Sequence, residues 1–266
     1  MPKSPIFIVG SPRSGTSALA KALLNIGYKG YHEGNFLPLL SILDRAVDRH
    51  MEVNGKPHPF VLAAQVDRNY LKDRIADIFK EIADKLNPSP LWFDKSGNVD
   101  MIRAIPTLRR LWPESVYIFA KRRAIENVIS RVKKFPLRDF EYHCIDWGRN
   151  MAAWREMREQ LPADVYTEVD QQDLVRNTTK VCSRLADLLR LEPAQAEKLA
   201  KTFKTIRPQE TQKGSAEATY ALDDLGWSDA QLAIFREHCI PEMELYGYAC
   251  GREYFQTLAE ATAGEA

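Results

Sequence analysis

No segment of the sequence is apolar enough to cross a membrane, since none approaches the roughly 20 consecutive apolar residues that a bilayer requires. Strand-like residues begin at Ile6, without the charged, apolar and small-residue regions of a signal peptide. An excess of charge of one sign is also lacking: the formal net charge is +1, which indicates neither a nucleic-acid nor a membrane-surface partner. A cytoplasmic globular protein is therefore the expectation.

Cysteine clusters and interdomain linkers are lacking as well. The four cysteines are widely spaced and form no CxxC or Cys/His group, so neither a metal site nor a redox motif is expected. No stretch rich in proline, glycine and serine divides the 266 residues, a length that one large α/β domain accommodates. We expect one domain over residues 1–255, followed by a small-residue tail at 256–266 that frays.

Short β-branched runs alternate with helical patterns along the chain. Strands are predicted at the segments PIFIVG, LWFDKS, SVYIFAKRR and ADVYTEV. Strands that alternate with helices are typical of parallel sheets covered on both faces. The sequence therefore predicts an α/β fold with a P-loop-like, doubly wound, mainly parallel sheet flanked by helices.

The strongest helical pattern covers residues 69–86, where the apolar residues recur at helical spacing. The stripe expected to face the core consists of Leu71, Ile75, Ile78, Phe79, Ile82 and Leu86. Further helices are predicted at 124–135, at 174–191 and from Ser228, which begins a capping box. Two segments, 31–66 and 135–150, have little periodicity and are predicted to be irregular, with a loop at 51–60.

The segment FIVGSPRSGTSALAKALL, residues 7–24, has the pattern of a buried strand, a turn of small residues and a helix. Such a turn exposes backbone N–H groups at the positive end of the helix dipole and so forms an anion site. Gly10 and Gly15 permit close approach of the backbone to a ligand, while Ser14, Thr16 and Ser17 supply hydroxyl groups.

This turn lacks the lysine of nucleoside triphosphatases. Their motif GxxxxGK[ST] requires lysine at position 16 to reach the β- and γ-phosphates, and this chain has Thr16. The cation stands three residues earlier, at Arg13, whose planar guanidinium can bind two oxygens of a phosphate or sulfate group. The turn therefore suits a ligand that is less charged than a nucleoside triphosphate and needs no magnesium.

The residues RSGTS, Arg13 to Ser17, resemble the 5′-phosphosulfate loop of the sulfotransferase superfamily, [K/R]-S-G-[T/S]-[T/S]. The form PRSGT is most similar to the branch that contains the tyrosylprotein sulfotransferases and many bacterial relatives. The resemblance implies 3′-phosphoadenosine 5′-phosphosulfate (PAPS) as sulfuryl donor and adenosine 3′,5′-bisphosphate (PAP) as product. It assigns the 5′-phosphosulfate end of the donor to Arg13, Ser14, Gly15, Thr16 and Ser17.

A second stretch, VYIFAKRRAIENVIS, resembles the 3′-phosphate motif of the same family, a hydrophobic strand followed by R-[DN]-P-x-[DE]-x-x-x-S. Arg122 and Ser130 have the eight-residue separation of the arginine and serine that bind the 3′-phosphate in that motif. Lys134, one helical turn beyond Ser130, would add charge on the same face. Taken singly, each arginine could instead be a solvated cation at a strand end.

The chain also departs from the family pattern. Arg123 and Ala124 replace the usual acid and proline, so Arg123 is an alternative to Arg122, which the spacing favours. The segment VDQQDLV keeps the shape of a family segment near the adenosine but lacks its tyrosine, which leaves the adenine contact unassigned. Residues 207–215 lie where the family closes a C-terminal segment over the nucleotide, and Lys213 is a candidate ligand there.

Glu33 is the candidate general base, because a glutamate in the corresponding place serves as base in the tyrosylprotein-like branch. His32 is the alternative base, since its ordinary pKa is nearer neutrality, and an exposed carboxylate without a role is an alternative for Glu33. Lys95 ends a predicted strand where the family often has a lysine, and it would stabilise the leaving phosphate together with Arg13. Asp94 is a second base candidate or a partner of Lys95.

The leading hypothesis is a metal-independent sulfotransferase whose acceptor is a hydroxyl of a carbohydrate, lipid, small metabolite or tyrosine. A P-loop kinase or nucleotidase is opposed by the missing lysine and by the lack of a clear magnesium-binding acid after a strand. A non-catalytic nucleotide-binding module is the third reading. The residues that would shape the acceptor pocket fall in 31–66 and 135–150.

Overall fold

Five short strands form one parallel sheet in the computed structural model, which describes residues 4–205 and 218–256. In chain order the strands are β1 (Ile6–Gly10), β2 (Lys29–Tyr31), β3 (Trp92–Lys95), β4 (Val116–Lys121) and β5 (Tyr166–Asp170). The strand order is β2-β3-β1-β4-β5, and every pair is parallel. The predicted α/β fold is confirmed, and only the three-residue edge strand β2 gives no signal in the sequence.

Helices cover both faces of this sheet. They are α1 (Thr16–Asn25), α2 (Leu39–Asn54), α3 (Arg68–Leu86), α4 (Val99–Arg103), α5 (Ile105–Leu111), α6 (Ala124–Lys134), α7 (Phe140–Arg158), α8 (Gln171–Arg176), α9 (Thr178–Leu189), α10 (Pro193–Thr205) and α11 (Asp229–Leu245). Short 3-10 turns occur at Leu62–Gln65 and Leu222–Asp224. The capping box predicted at Ser228 is present at the start of α11.

The core is divided into two layers by the alternation of side chains along the strands. In β1, Phe7 and Val9 face a layer built from α2 to α7 and α11, whereas Ile6 and Ile8 face a layer built from α1 and α8 to α10. All four side chains are fully buried. Burial on both faces explains why β1 is a continuous apolar run in the sequence.

Two irregular segments were wrongly predicted, because 31–66 contains α2 and 135–150 contains most of α7. The buried face of α7 includes polar His143 and Asn150, which hides its helical period from an apolar pattern. The loop predicted at 51–60 begins only after Asn54, where α2 ends.

The predicted helices at 69–86 and 174–191 also differ in detail from the structure. In α3, Ala76, Phe79 and Ala83 are buried, whereas Ile78 and Ile82 of the expected stripe are exposed. The core face of α3 is therefore rotated toward its small residues, which permit close helix packing. The second predicted helix is divided at residue 177 into α8 and α9.

The strand order reverses between β1 and β4, which places a crevice at the carboxyl ends of these two strands. Gly10 ends β1 with φ 133°, and a Cβ atom there would lie 2.1 Å from the carbonyl oxygen of Ala120 in β4. Only glycine allows this approach. The loop from β1 to α1 and the connection from β4 to α6 therefore begin side by side.

Candidate active site

The loop that joins β1 to α1, residues 11–15, has a backbone shaped for an anion. Arg13 (φ 72°) and Gly15 (φ 90°) both adopt left-handed conformations, which are typical of loops whose backbone N–H groups bind anions. Gly15 is the N-cap of α1, and no described side chain caps the first turn of this helix. The start of a helix is the end that suits a phosphate or sulfate.

Helix α6 lies directly against the β1–α1 loop. Arg13 donates from Nε to the Oγ of Ser130 at 2.9 Å, although the two residues are 117 positions apart. Asn127 donates from Nδ2 to the carbonyl of Pro12 and to the Oγ of Ser14, both at 3.0 Å. The two motifs predicted from the sequence therefore border the same crevice.

Arg131 adds a further link between α6 and the loop. Its Nη1 donates to the Oγ of Ser11 at 2.9 Å, and its Nη2 forms an ion pair with Asp146 of α7 at 2.6 Å. Sequence reasoning missed Asn127 and Arg131. The available signal was their spacing of four residues on the same side of α6 as Ser130, which marks polar groups on a buried helix face.

Arg122 follows β4 and is half-buried, and its Nε atom is buried without a hydrogen-bond partner among residues 4–205 and 218–256. Burial lowers the pKa of this guanidinium, although Tyr254, Glu126 and Asp170 partly offset the effect. Burial and repulsion from Arg122 likewise lower the pKa of Arg13. The two guanidinium groups are thus close enough to repel each other, and an anion bound between them would relieve that repulsion.

Arg123 is fully buried and engaged with the protein itself. It forms a two-contact ion pair with Glu126, at 2.9 Å from Nε and 2.5 Å from Nη2. Its Nη1 and Nη2 also donate to the backbone carbonyls of Ala249, Gly251, Glu253 and Tyr220. These contacts fasten the C-terminal segment to the start of α6 and favour Arg122 over Arg123 as the residue open to a ligand.

Glu33 and Lys95 form an ion pair at the same edge of the sheet. Lys95 ends β3, pairs in register with Ile8 of β1, and its side chain is 4% exposed. Glu33 lies in the loop after β2, and its side chain is 65% exposed. The described residues hold no ion pair between Lys95 and Asp94, so Glu33 is the partner of Lys95.

Asp94 holds the loop that carries Glu33. Its Oδ1 accepts from the hydroxyl of Ser96 at 2.7 Å, and that hydroxyl accepts from the backbone N–H of Asn35 at 3.0 Å. A Cβ atom on Gly34 would lie 1.9 Å from the Asp94 carboxylate, so the loop packs directly on it. Burial raises the pKa of Asp94 to about 6, while Ser96 and Lys95 act in the opposite direction.

The raised pKa of Asp94 predicts a stability change for Asp94→Asn. Since this pKa moves from an ordinary 3.8 to about 6, the folded protein binds the additional proton between these values. Its free energy of unfolding then falls as the pH rises from about 4 to about 6. Asparagine carries no charge, so the variant avoids the cost of a buried ionised carboxylate. We therefore expect it to be more stable than wild type by about 1–3 kcal/mol at pH 7.5, with no gain near pH 4.

Urea unfolding of the wild type and Asp94→Asn at both pH values measures this effect. Asp164→Asn is the matched control, because Asp164 is exposed in the loop before β5. It should change the free energy of unfolding by less than about 0.5 kcal/mol at either pH. An equal gain for Asp94→Asn at pH 4 and pH 7.5 would assign the effect to packing instead of charge.

The remaining predicted residues lie around this crevice or outside the described residues. Thr16 and Ser17 begin α1, Lys134 is exposed at the end of α6, and His32 is exposed beside Glu33. The segment VDQQDLV forms the end of β5 and most of α8. Lys213 and the rest of 207–215 fall outside the described residues.

Two classes of feature are absent from the part of the chain that the structure describes. Within 4–205 and 218–256, no helix is long and apolar enough to span a membrane. Those residues also contain no group of three or more His, Cys, Asp and Glu side chains arranged to hold a metal ion.

Comparisons with known proteins agree with this architecture. The sulfotransferase domain from the curacin biosynthetic pathway is 20% identical, with a TM-score of 0.50, over 80% of this chain and 82% of that domain. The sulfotransferase STF9 from Mycobacterium avium is 15% identical, with a TM-score of 0.54, over 89% of this chain and 76% of that protein. No curated protein matches the chain. A family model described as "Sulfotransferase family" matches residues 5–195, most of the chain, so the protein belongs to the sulfotransferase family.

Proposed function

We propose that this protein transfers a sulfuryl group from PAPS to a hydroxyl acceptor and releases PAP. The observation that carries the proposal is the contact between Arg13 and Ser130, with the unpartnered Nε of Arg122 nearby. This contact supports the proposal because it brings a cation of the first motif beside a hydroxyl of the second. A nucleotide with phosphate groups at both its 5′ and 3′ ends fits two such groups.

The chemistry of the two groups fits the two ends of this donor. Backbone N–H groups and the guanidinium of Arg13 suit the 5′-phosphosulfate, and the half-buried guanidinium of Arg122, with its buried Nε, suits the more compact 3′-phosphate. An unpaired buried donor is costly, and an oxyanion would supply the missing partner. The proposed donor-binding residues are Arg13, Ser14, Gly15, Thr16, Ser17, Arg122 and Ser130, with Lys134 and Lys213 as further cations.

Glu33 and Lys95 have complementary roles in the proposed reaction. Glu33 takes the proton of the acceptor hydroxyl as that oxygen forms its bond to sulfur, and His32 is the alternative base. Lys95, together with Arg13, stabilises the negative charge on the bridging oxygen as its bond to sulfur breaks and the electron pair remains with the phosphate. The donor supplies the activated sulfuryl group, and the protein supplies alignment and charge.

Calorimetry compares this proposal with the kinase alternative. We expect adenosine 3′,5′-bisphosphate to bind in the presence of EDTA, at least about tenfold more tightly than ATP with magnesium, because Thr16 replaces the lysine that binds the β- and γ-phosphates. Tighter binding of ATP with magnesium would overturn the proposed donor. Transfer itself is tested with labelled PAPS and a panel of carbohydrate, lipid, small-molecule and tyrosine-peptide hydroxyls.

A further inference from the structure

Asn127 of α6 contacts two atoms of the β1–α1 loop through its side-chain nitrogen. It is fully buried, and its Nδ2 lies 3.0 Å from both the Pro12 carbonyl and the Ser14 Oγ. The Pro12 carbonyl can only accept, so the amide nitrogen must face the loop. The family motif leaves position 127 unspecified, and sequence spacing assigns this residue no role.

The orientation of Asn127 determines the direction of the Ser14 hydroxyl. The amide has two N–H groups, one directed to Pro12 and the other to Ser14, so the Ser14 oxygen acts as an acceptor toward Asn127. A serine hydroxyl has a single proton, which is then left to donate elsewhere. Ser14 is only 2% exposed, and among the described residues its Oγ accepts from Asn127 and donates no hydrogen bond.

We propose that Asn127 is a positioning residue that makes the Ser14 hydroxyl a donor to the 5′-phosphosulfate end of the nucleotide. The proposal rests on the proposed function, because it needs an oxyanion at the loop. Asn127 does not touch the nucleotide in this scheme and acts through Ser14. A side chain that can only accept would instead accept a hydrogen bond from the Ser14 hydroxyl, and it would repel the Pro12 carbonyl.

Asn127→Asp tests this role because the two side chains have nearly the same shape. We expect binding of adenosine 5′-monophosphate to weaken about tenfold or more, since a hydrogen bond to a charged group is lost and a carboxylate stands behind the loop. Binding of adenosine 3′-monophosphate should weaken less than about threefold, because the Arg122 end is unchanged. Both affinities are measured by calorimetry, and thermal unfolding reports whether the variant is folded.

Asn25→Asp is the matched control. Asn25 also donates from Nδ2 to a hydroxyl, that of Thr202 at 3.2 Å, but it lies at the far end of α1. We expect this variant to bind both mononucleotides as the wild type does. Should Asn127→Asp fail to fold, Asn127→Ala carries the same test, with a smaller loss that is still confined to the 5′-phosphate.

A double-mutant cycle with Ser14→Ala separates action through Ser14 from general damage. If Asn127 acts through the hydroxyl, Asn127→Asp should cost clearly less in the Ser14→Ala background than in the wild type. Additive losses, or equal losses for the two mononucleotides, would overturn the role of Asn127. Failure of the wild type to bind adenosine 3′,5′-bisphosphate would instead overturn the proposed function, so the two failures are distinguishable.

Discussion

Replacement of Arg122 by methionine is expected to weaken the binding of adenosine 3′,5′-bisphosphate about 100-fold, because the half-buried guanidinium that we propose to pair with the 3′-phosphate is lost. The same replacement should change the free energy of unfolding by no more than about 1 kcal/mol. The Nε of Arg122 has no hydrogen-bond partner among the described residues, and its charge repels Arg13. Calorimetry and urea unfolding measure the two quantities on one preparation.

Arg123→Met is the matched control, with the opposite expected result. The guanidinium of Arg123 is paired with Glu126, which is 2% exposed, and its loss would leave this buried carboxylate with the backbone N–H of Tyr220, at 3.2 Å, in place of the ion pair. Loss of one member of a buried ion pair costs about 3–5 kcal/mol of stability. Bisphosphate affinity, measured on the folded fraction, should remain within about threefold of wild type. If Arg122→Met retains its affinity for the bisphosphate and Arg123→Met loses it, Arg123 is the residue that binds the 3′-phosphate.

The sequence predicts the layered architecture and the nearness of the two motif segments, for a physical reason. Strands such as β1 and β4 are buried on both faces, so they are continuous apolar runs that stand out from their surroundings. The motif residues follow directly from the ends of these strands. Because the carboxyl ends of adjacent parallel strands meet at one edge, the strand pattern also predicts that Arg13 and Ser130 lie near each other.

The hydrogen bonds that hold the loops around the crevice could not be predicted, because they join residues that are distant in the chain. The partners of Arg123 include carbonyls of Tyr220 and Gly251, 97 and 128 positions away, and no local pattern encodes a backbone acceptor. Helix α7 was missed since its buried face contains polar residues, and the core face of α3 was misplaced since alanines face the core. The link from Asp94 through Ser96 to Asn35 depends on how the loop after β2 packs on β3.

Glu33→Gln is expected to reduce kcat by about 100- to 10,000-fold while bisphosphate affinity changes less than about threefold. Glutamine keeps the length of the side chain and an oxygen that can accept from Lys95, so the loop after β2 should stay in place. What it loses is the ability to take the acceptor's proton. The Glu33–Lys95 pair is compatible with the proposed role if Lys95 turns to the leaving phosphate as negative charge develops there, since this would free the Glu33 carboxylate.

Two further variants determine what a loss of rate in Glu33→Gln means. His32→Gln should retain kcat within about threefold if Glu33 is the base, whereas a large loss in His32→Gln alone would assign the proton transfer to the imidazole. Lys95→Met should lower kcat about 100-fold or more, since one donor to a developing oxyanion is lost in a buried position. If Glu33→Gln and Lys95→Met both keep wild-type kcat with labelled PAPS, neither side chain takes part in the transfer. If the wild type binds the bisphosphate but transfers nothing to any acceptor, the crevice binds a nucleotide without catalysis.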